Sequence, residues 1–185
     1  MRMARPVLAF SHFGFFVREL ARMEDFYTRV LGFTASDRGE LDTPRGRVSL
    51  VFLTADAREH HQIVLASGRP QDVPFNPINQ ISFRVADFAG LREMHRLVAN
   101  EAGVREISPV SHGNALSVYF RDPEGNRIEL FMDTPWYVDQ PMRIPMDMSL
   151  PDEALWAWAK ESAATQPGFR PVEEWRAALA KKLAR

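Results

Sequence analysis

The chain of 185 residues contains no cysteine. This absence excludes disulfide bonds, thiolate metal sites and a cysteine nucleophile, and it fits a reducing compartment. The sequence also lacks any apolar run close to the roughly 18 residues of a membrane-spanning helix. The N-terminal stretch MRMARPVLAFSHF has neither the apolar segment nor the cleavage pattern of a signal peptide. We therefore expect a cytoplasmic protein that has no membrane partner.

The sequence also lacks a large net charge of either sign. The formal net charge is −1, which argues against a broad nucleic-acid-binding surface. Hydrophobic residues make up 45% of the chain and charged residues 25%, as in ordinary globular proteins. The length allows one domain or two small ones, with enough chain to bury a core.

What the sequence does contain is an internal repeat with an offset of 68 residues. HFGFFV (12–17) aligns with QISFRV (80–85), and SLVFLTADAREHHQI (49–63) aligns with SVYFRDPEGNRIELF (117–131). A self-similar period of this size indicates two copies of one supersecondary unit.

An amphipathic helix is predicted between the aligned segments of each copy. Met23, Phe26 and Val30 have the i, i+3, i+7 apolar spacing of such a helix, and Leu91, Met94 and Val98 repeat it 68 residues later. Each copy therefore predicts a strand, a helix and three further strands. The predicted bounds in copy one are about 8–17, 19–31, 33–38, 47–54 and 60–66, and in copy two about 78–85, 87–99, 104–108, 115–121 and 126–132.

The fold class predicted from this order is α+β, with two tandem βαβββ modules at about 8–67 and 77–134 in a domain of residues 1–134. Two copies of about 55 residues cannot each enclose a core, so the modules are expected to pack together.

Residues 135–185 lie outside the repeat and form a tail. An extended, proline-containing segment comes first, and two helices are predicted from Pro151 and from Pro171. The tail should pack on the repeat domain or on a partner subunit, because Trp156, Trp158 and Trp175 need cover. Its aromatic character favours a homodimer.

The repeat also brings four polar positions into two related pairs. His12 corresponds to Gln80 on the first strands, and His61 corresponds to Glu129 on the last strands. If all four converge on one pseudo-twofold axis, their nitrogen and oxygen donors suit Fe, Mn, Ni or Zn. Two histidines and one carboxylate would make the facial triad of non-haem Fe(II) enzymes.

Plainer interpretations exist for each of these residues. A lone histidine such as His12 is more often a satisfied core residue than a ligand, and Glu129 could face solvent. His60 and His61 are neighbours and should point to opposite faces of a strand, in which case the repeat selects His61. Because all four positions share the 68-residue offset, together they indicate a metal site more specifically than any one of them does alone.

With these residues in view, the chain is identified as resembling the vicinal oxygen chelate superfamily of glyoxalase I, bleomycin-resistance proteins and type I extradiol dioxygenases. The resemblance covers about residues 8–134. It implies a cupped mixed sheet, formed by paired βαβββ modules around a metal.

Within the superfamily, three motifs are most similar to the extradiol dioxygenases. They are YFRDPEGNRIELF (119–131), with ten residues from Tyr119 to Glu129, HHQIVL (60–65) and SHGN (111–114). The resemblance implies ring cleavage of a catechol or related small aromatic with O₂, and a role in aromatic compound degradation.

Roles for individual residues follow from the same resemblance. His12 and Glu129 match metal ligands, and Fe(II) is the expected metal, with Mn(II), Ni(II) and Zn(II) as alternatives. His61 matches an acid–base residue, while Tyr119 and His112 match residues that bond the substrate oxygens.

Gln80 departs from the extradiol pattern, which has a histidine ligand at this position. The ligand set is then either His12, Gln80 and Glu129 or His12, His61 and Glu129. Three functions stay open: an extradiol-like dioxygenase, a glyoxalase-like isomerase or lyase, and a non-catalytic protein that binds an aromatic ligand.

Overall fold

The structure is a computed structural model that describes residues 8–44, 46–72 and 75–184. Residues 1–7, which begin the stretch tested for a signal peptide, lie outside the described residues. Among the helices of the described residues, none is both long and apolar enough to cross a membrane. The chain divides into two compact units, one up to Phe75 and one from Asn76 onward, which are described separately.

The first unit is a four-stranded sheet with one helical segment. Its elements are β1 (Phe13–Val17), α1 (Leu20–Asp25), a π-helical turn (Phe26–Val30), β2 (Thr34–Thr43), β3 (Gly46–Thr54) and β4 (Ile63–Ser67). The strand order is β1-β4-β3-β2, with β1 parallel to β4 and the other pairs antiparallel.

The helix of the first unit changes type halfway. The Leu31 N–H donates to the Phe26 carbonyl at 3.3 Å, which is the i→i+5 bond of a π-helix. Phe26, Tyr27 and Val30 from this turn are buried, together with Met23 from α1. The apolar stripe predicted for this helix therefore faces the core of the unit.

The second unit is a five-stranded sheet that includes part of the tail. Its repeat elements are β5 (Ile81–Arg84), α2 (Phe88–Ala99), β6 (Arg105–Ser111), β7 (Ala115–Arg121) and β8 (Arg127–Asp133). The tail adds β9 (Trp136–Tyr137), β10 (Ile144–Pro145), α3 (Asp152–Ala164), β11 (Arg170–Pro171) and α4 (Val172–Leu183). The strand order is β10-β6-β7-β8-β5, and β11 pairs with β9.

The α+β fold class and the βαβββ order of both copies are confirmed. His12 and Gln80 keep their predicted equivalence, because each directly precedes the first strand of its unit. The equivalence of His61 and Glu129 is wrong. Eight residues (55–62) separate β3 from β4, whereas five (122–126) separate β7 from β8.

The longer loop shifts the register of the last strand. Glu129 pairs with Ser82 on β5, and the corresponding pair in the first unit is Val64 with Gly14 on β1. His61 therefore lies in the loop before β4, although the sequence predicts it on a strand.

The tail packs within the second unit. Leu155, Ala159 and Ala163 on α3 are fully buried. The Trp136 and Trp156 rings lie 5.3 Å apart, and Tyr137 stacks on Trp175 with 4.9 Å between ring centroids. The three tail tryptophans of the prediction, Trp156, Trp158 and Trp175, are all partly buried.

Candidate active site

Glu129 is the centre of a hydrogen-bonded cluster in the second unit. It lies on β8 opposite Tyr119 of β7, and only 7% of its surface is exposed. Its Oε1 accepts from the Ser117 hydroxyl at 2.8 Å, and its Oε2 accepts from the Ser82 hydroxyl at 2.5 Å. The amide nitrogen of Gln80 also donates to Oε2, at 2.8 Å.

All three of these donors are neutral. In the described part of the chain, the only basic side chain within ion-pair distance of Glu129 is His112, whose Nε2 lies 3.8 Å from Oε1. A buried carboxylate is costly unless its charge is balanced. The environment of Glu129 therefore suits a bound cation.

Gln80 is oriented by its amide nitrogen. Because a carboxylate can only accept, the nitrogen faces Glu129, and it also donates to the Ser82 hydroxyl at 3.0 Å. The amide oxygen is the remaining atom through which Gln80 can bind a metal.

His112 and Tyr119 form a pair beside Glu129. The His112 Nδ1 lies 2.6 Å from the Met142 carbonyl oxygen, and because a carbonyl only accepts, this nitrogen carries a proton. In the neutral ring Nε2 is then an acceptor, and it lies 3.1 Å from the Tyr119 hydroxyl. The tail residue Met142 thus sets the tautomer of His112.

The ionisation of Tyr119 is shifted by the same environment. Burial of the phenol raises the pKa of Tyr119 to about 12, and the neighbouring Glu129 carboxylate, beside which a phenolate is unfavourable, adds to this shift. Tyr119 therefore keeps its proton near neutral pH and can donate it in a hydrogen bond.

The loop that carries His112 depends on a glycine. Gly113 has φ +73°, and a Cβ at this position would lie 2.3 Å from Val138 Cγ2 and 2.8 Å from Met142 Sδ. The tail also holds this loop through Gln140, whose amide donates to the His112 carbonyl at 2.8 Å.

Glu129, His112 and Tyr119 line a cleft of about 400 Å³ in the second unit. Its walls are Ser82, His112, Asn114, Ala115, Tyr119, Glu129, Phe131, Asp133 and Gln140. A carboxylate, an imidazole and a phenol in one cleft, beside the ring of Phe131, can receive a small aromatic molecule and exchange protons with it.

The first unit holds the other two predicted ligands. The rings of His12 and His61 lie 4.2 Å apart. His60 and His61 do not point to opposite faces as the sequence predicts, because they lie in a loop and their Nδ1 atoms are 2.9 Å apart. Both rings also contact Phe52.

The hydrogen bonds of His60 indicate how His61 is protonated. The His60 Nε2 lies 3.2 Å from an Asp37 carboxylate oxygen, to which it donates. In neutral His60 the Nδ1 is then an acceptor, so His61 donates from Nδ1 and its Nε2 lone pair is available to a metal. Burial, and after it the charges of His12 and His60, lower the pKa of His61, which favours this neutral form.

The structure thus brings the predicted residues together in two groups. Gln80, Glu129, His112 and Tyr119 are in contact in the second unit, and His12 contacts His61 in the first. Within the described ranges, no three His, Cys, Asp or Glu side chains form a group that could hold a metal ion. The donor types nevertheless fit a divalent first-row metal: neutral imidazoles, an amide oxygen and a carboxylate without a cationic partner.

The prediction from sequence missed the two serines that donate to Glu129. Ser117 is two residues before Tyr119 on β7, and Ser82 is two residues after Gln80. Alternation along a strand places such i, i+2 residues on one face, so this signal was present in the sequence. The Met142 carbonyl could not be predicted from the sequence, because every residue type has a backbone carbonyl that can accept a hydrogen bond.

Comparison with known proteins places this site in a family. The model of the glyoxalase/bleomycin resistance protein/dioxygenase superfamily matches residues 9–130. A curated relative, biphenyl-2,3-diol 1,2-dioxygenase 3 of Rhodococcus globerulus, is 30% identical over 128 residues. That match covers 66% of this chain and 62% of the relative, so the chain spans less than two thirds of its length.

Two solved structures share the fold. A glyoxalase/bleomycin resistance protein/dioxygenase domain from Frankia sp. EAN1pec has a TM-score of 0.56 at 24% identity, covering 70% of this chain and 100% of that one. The fosfomycin resistance protein FosX of Listeria monocytogenes, solved with Mn(II) and sulfate, has a TM-score of 0.51 at 18% identity, covering 70% and 95%.

The matched segment contains the six site residues predicted from the sequence, which are His12, His61, Gln80, His112, Tyr119 and Glu129. The chain belongs to the glyoxalase/bleomycin resistance protein/dioxygenase superfamily.

Proposed function

We propose that the protein is a metal-dependent dioxygenase that cleaves the ring of a catechol or a related small aromatic in the extradiol manner. The observation that carries this proposal is the contact of His112 with both Tyr119 and Glu129 in one cleft. The similarity to a biphenyl-2,3-diol 1,2-dioxygenase supports the same reaction class.

Each residue of the cleft has a separate role toward the substrate in this proposal. Tyr119 is protonated at neutral pH, since its pKa is raised from 10.0 to about 12 and both values lie well above 7, and it donates a hydrogen bond to a substrate oxygen. His112 faces the Met142 carbonyl through Nδ1, so its Nε2 is the atom that can accept a proton from a substrate hydroxyl. His61, neutral with a free Nε2, serves as an acid–base group or as a ligand.

A divalent metal, Fe(II) in this proposal, would supply Lewis-acid polarisation of the substrate oxygens when bound. We propose His12 and Glu129 as ligands, on the basis of the motifs that carry the resemblance. Gln80 or His61 completes the set. FosX, a structural relative, was solved with Mn(II), so Mn(II), Ni(II) and Zn(II) belong in the same test.

The first experiment measures metal content. The purified protein is loaded with Fe(II) or Mn(II), desalted and analysed, beside the variants His12→Ala, Glu129→Gln and Glu173→Gln. The first two should lose the metal, and the third should keep it because Glu173 is an exposed residue of α4. Full metal content in Glu129→Gln would contradict the ligand assignment.

The second experiment measures O₂ uptake by the Fe(II)-loaded protein with a panel of catechols. We expect uptake that depends on the substrate, with kcat about a hundredfold lower in His112→Ala, the low end of the range for loss of a general acid–base group. The metal content of this variant should not change. No uptake with any catechol by metal-loaded protein would refute ring cleavage.

A second candidate function follows from Gln80. An amide stands at this position, where the resemblance to extradiol enzymes predicts a histidine, and it is held against Glu129 at 2.8 Å. This ligand set favours an isomerase or lyase that stabilises an oxyanion. Turnover without O₂ would support it, and tight aromatic binding without any turnover would indicate a non-catalytic binding protein.

A further inference from the structure

A second cavity, of about 200 Å³, lies beside the cleft in the same unit. Its walls are Glu106, Ser108, Tyr119, Phe120, Arg121, Arg127 and Arg143. Three of these seven residues are arginines, and Tyr119 is shared with the cleft that holds Glu129 and His112.

The arginines of the sheet lie on the same face as the candidate active site. Tyr119 is opposite Glu129, and Arg121 is opposite Arg127, in the β7–β8 register. Residues two apart on a strand share a face, so Arg127 and Glu129 point to the same side of the sheet. The third arginine, Arg143, comes from the tail.

The charge of this cavity is not balanced. Glu106 pairs with Arg121 at 2.9 Å. No carboxylate of the described residues lies within ion-pair distance of Arg127 or Arg143. Arg143 donates to the Ser108 hydroxyl at 3.0 Å, which leaves its charge without a counterion.

Both unpaired guanidinium groups lie against the ring of Tyr119. The distance from the guanidinium carbon to the ring centroid is 4.4 Å for Arg127 and 5.9 Å for Arg143. The hydroxyl of the same ring reaches the Nε2 of His112. An aromatic molecule beside Tyr119 would therefore have His112 and Glu129 at one end and two positive charges at the other.

We propose that Arg127 and Arg143 bind a carboxylate carried by the substrate, so that the preferred substrate class is a carboxylated catechol. This inference rests on the proposed function for the cleft itself. Guanidinium groups bind carboxylates through paired, charge-assisted hydrogen bonds. Tyr119 would then contact the ring while the arginines select the substituent.

The test compares two ligands that differ only in a carboxylate, 3,4-dihydroxybenzoate and catechol. Their dissociation constants are measured by calorimetry on metal-loaded protein under argon at neutral pH, so that binding is scored without turnover. We expect the carboxylate to improve affinity by at least about tenfold, which corresponds to about 1.4 kcal/mol. This advantage should shrink as salt is added, because ions screen the charges.

Variants locate the effect. In the double variant Arg127→Met/Arg143→Met, the preference should fall below about threefold, which is about 0.65 kcal/mol. Arg176→Met on α4, which removes an exposed arginine paired with Glu173, should leave it unchanged. Arg127→Lys keeps the charge and should retain part of the preference, which separates loss of charge from loss of folding.

Two outcomes would overturn the inference: equal affinities of the wild type for both ligands, or an undiminished preference in a folded double variant. The experiments can also tell a failure of the arginine site from a failure of the proposed ring cleavage. O₂ uptake with catechol but no carboxylate preference would refute only the arginine site. A carboxylate preference without any uptake would support the arginine site and refute ring cleavage.

Discussion

At the scale of single residues, the site is defined by what surrounds Glu129. Ser82, Ser117 and Gln80 give its two oxygens three neutral hydrogen bonds. Such bonds hold the carboxylate in one orientation without neutralising it. Burial raises the pKa of Tyr119, and Glu129 raises it further, since a phenolate beside this carboxylate would place two negative charges together.

The ionisation of Tyr119 gives a prediction about pH. Its folded pKa, about 12, lies above the ordinary value of 10.0, so the folded state holds the phenol proton more tightly than the unfolded state. The resulting stabilisation is complete below pH 10 and is lost as pH rises from 10 to 12. We expect the free energy of unfolding to fall more steeply over this range in the wild type than in Tyr119→Phe.

Urea denaturation at several pH values, combined with phenolate absorbance, measures this effect. Only three tyrosines are present, so the difference in absorbance between wild type and Tyr119→Phe isolates one group. A Tyr119 that ionises near pH 10, its unperturbed value, would contradict the prediction.

At the scale of elements, the loop of His112 shows how a backbone position controls a side chain. Gly113→Ala would force an L residue into φ +73° and place its Cβ against Val138 and Met142. We expect a loss of about 2–5 kcal/mol in the free energy of unfolding, from left-handed strain and overpacking. Activity should fall as well, because the Met142 carbonyl orients His112.

A matched glycine provides the control. Gly39 on β2 has no atom within 4 Å of a built Cβ, so Gly39→Ala should change the free energy of unfolding by less than about 0.5 kcal/mol. Both variants are compared by urea denaturation. Equal stability of the two would show that the Gly113 loop adjusts without cost.

The elements also show what the sequence could predict. The 68-residue repeat predicted both βαβββ units and the equivalence of His12 with Gln80, because apolar periodicity and aligned motifs are visible in one dimension. It misplaced His61, because three extra residues in the β3–β4 loop break the offset before β4 begins. Strand register depends on loop length and pairing, and an ungapped comparison of two copies does not contain either.

The contacts around the site were less predictable than its residue types. Gln80 and Glu129 were predicted from the repeat, and Tyr119 and His112 from the resemblance to the extradiol motifs. Tyr119, His112 and Glu129 line one cleft, and Gln80 donates to Glu129. The orientation of His112 depends on the carbonyl of Met142, which is 30 residues away in the tail. Such long-range backbone contacts leave no pattern in the sequence.

At the scale of the whole molecule, the tail is part of the second unit rather than an appendage. Trp136, Val138, Met142 and Met146 are buried there with Leu155 of α3. Leu155→Ala should lower the free energy of unfolding by about 2–5 kcal/mol, as expected for a cavity at a fully buried leucine.

Leu183, with 77% of its surface exposed on α4, gives the matched control. Leu183→Ala should change the free energy of unfolding by less than about 0.5 kcal/mol. Urea denaturation followed by tryptophan fluorescence measures both. A Leu155→Ala protein as stable as the wild type would mean that α3 contributes little to the packing of the unit.

The position of Arg143 directly after Met142 has a consequence for how such a protein can diversify. The repeat carries the groups proposed to bind the metal, whereas a short tail segment carries both the acceptor that contacts His112 and the charge of Arg143, which we propose to bind the substrate carboxylate. A side-chain change at Arg143 leaves the Met142 carbonyl in place, because the carbonyl belongs to the backbone. New substrate preferences can therefore arise by substitution in the tail while the reacting groups stay as they are.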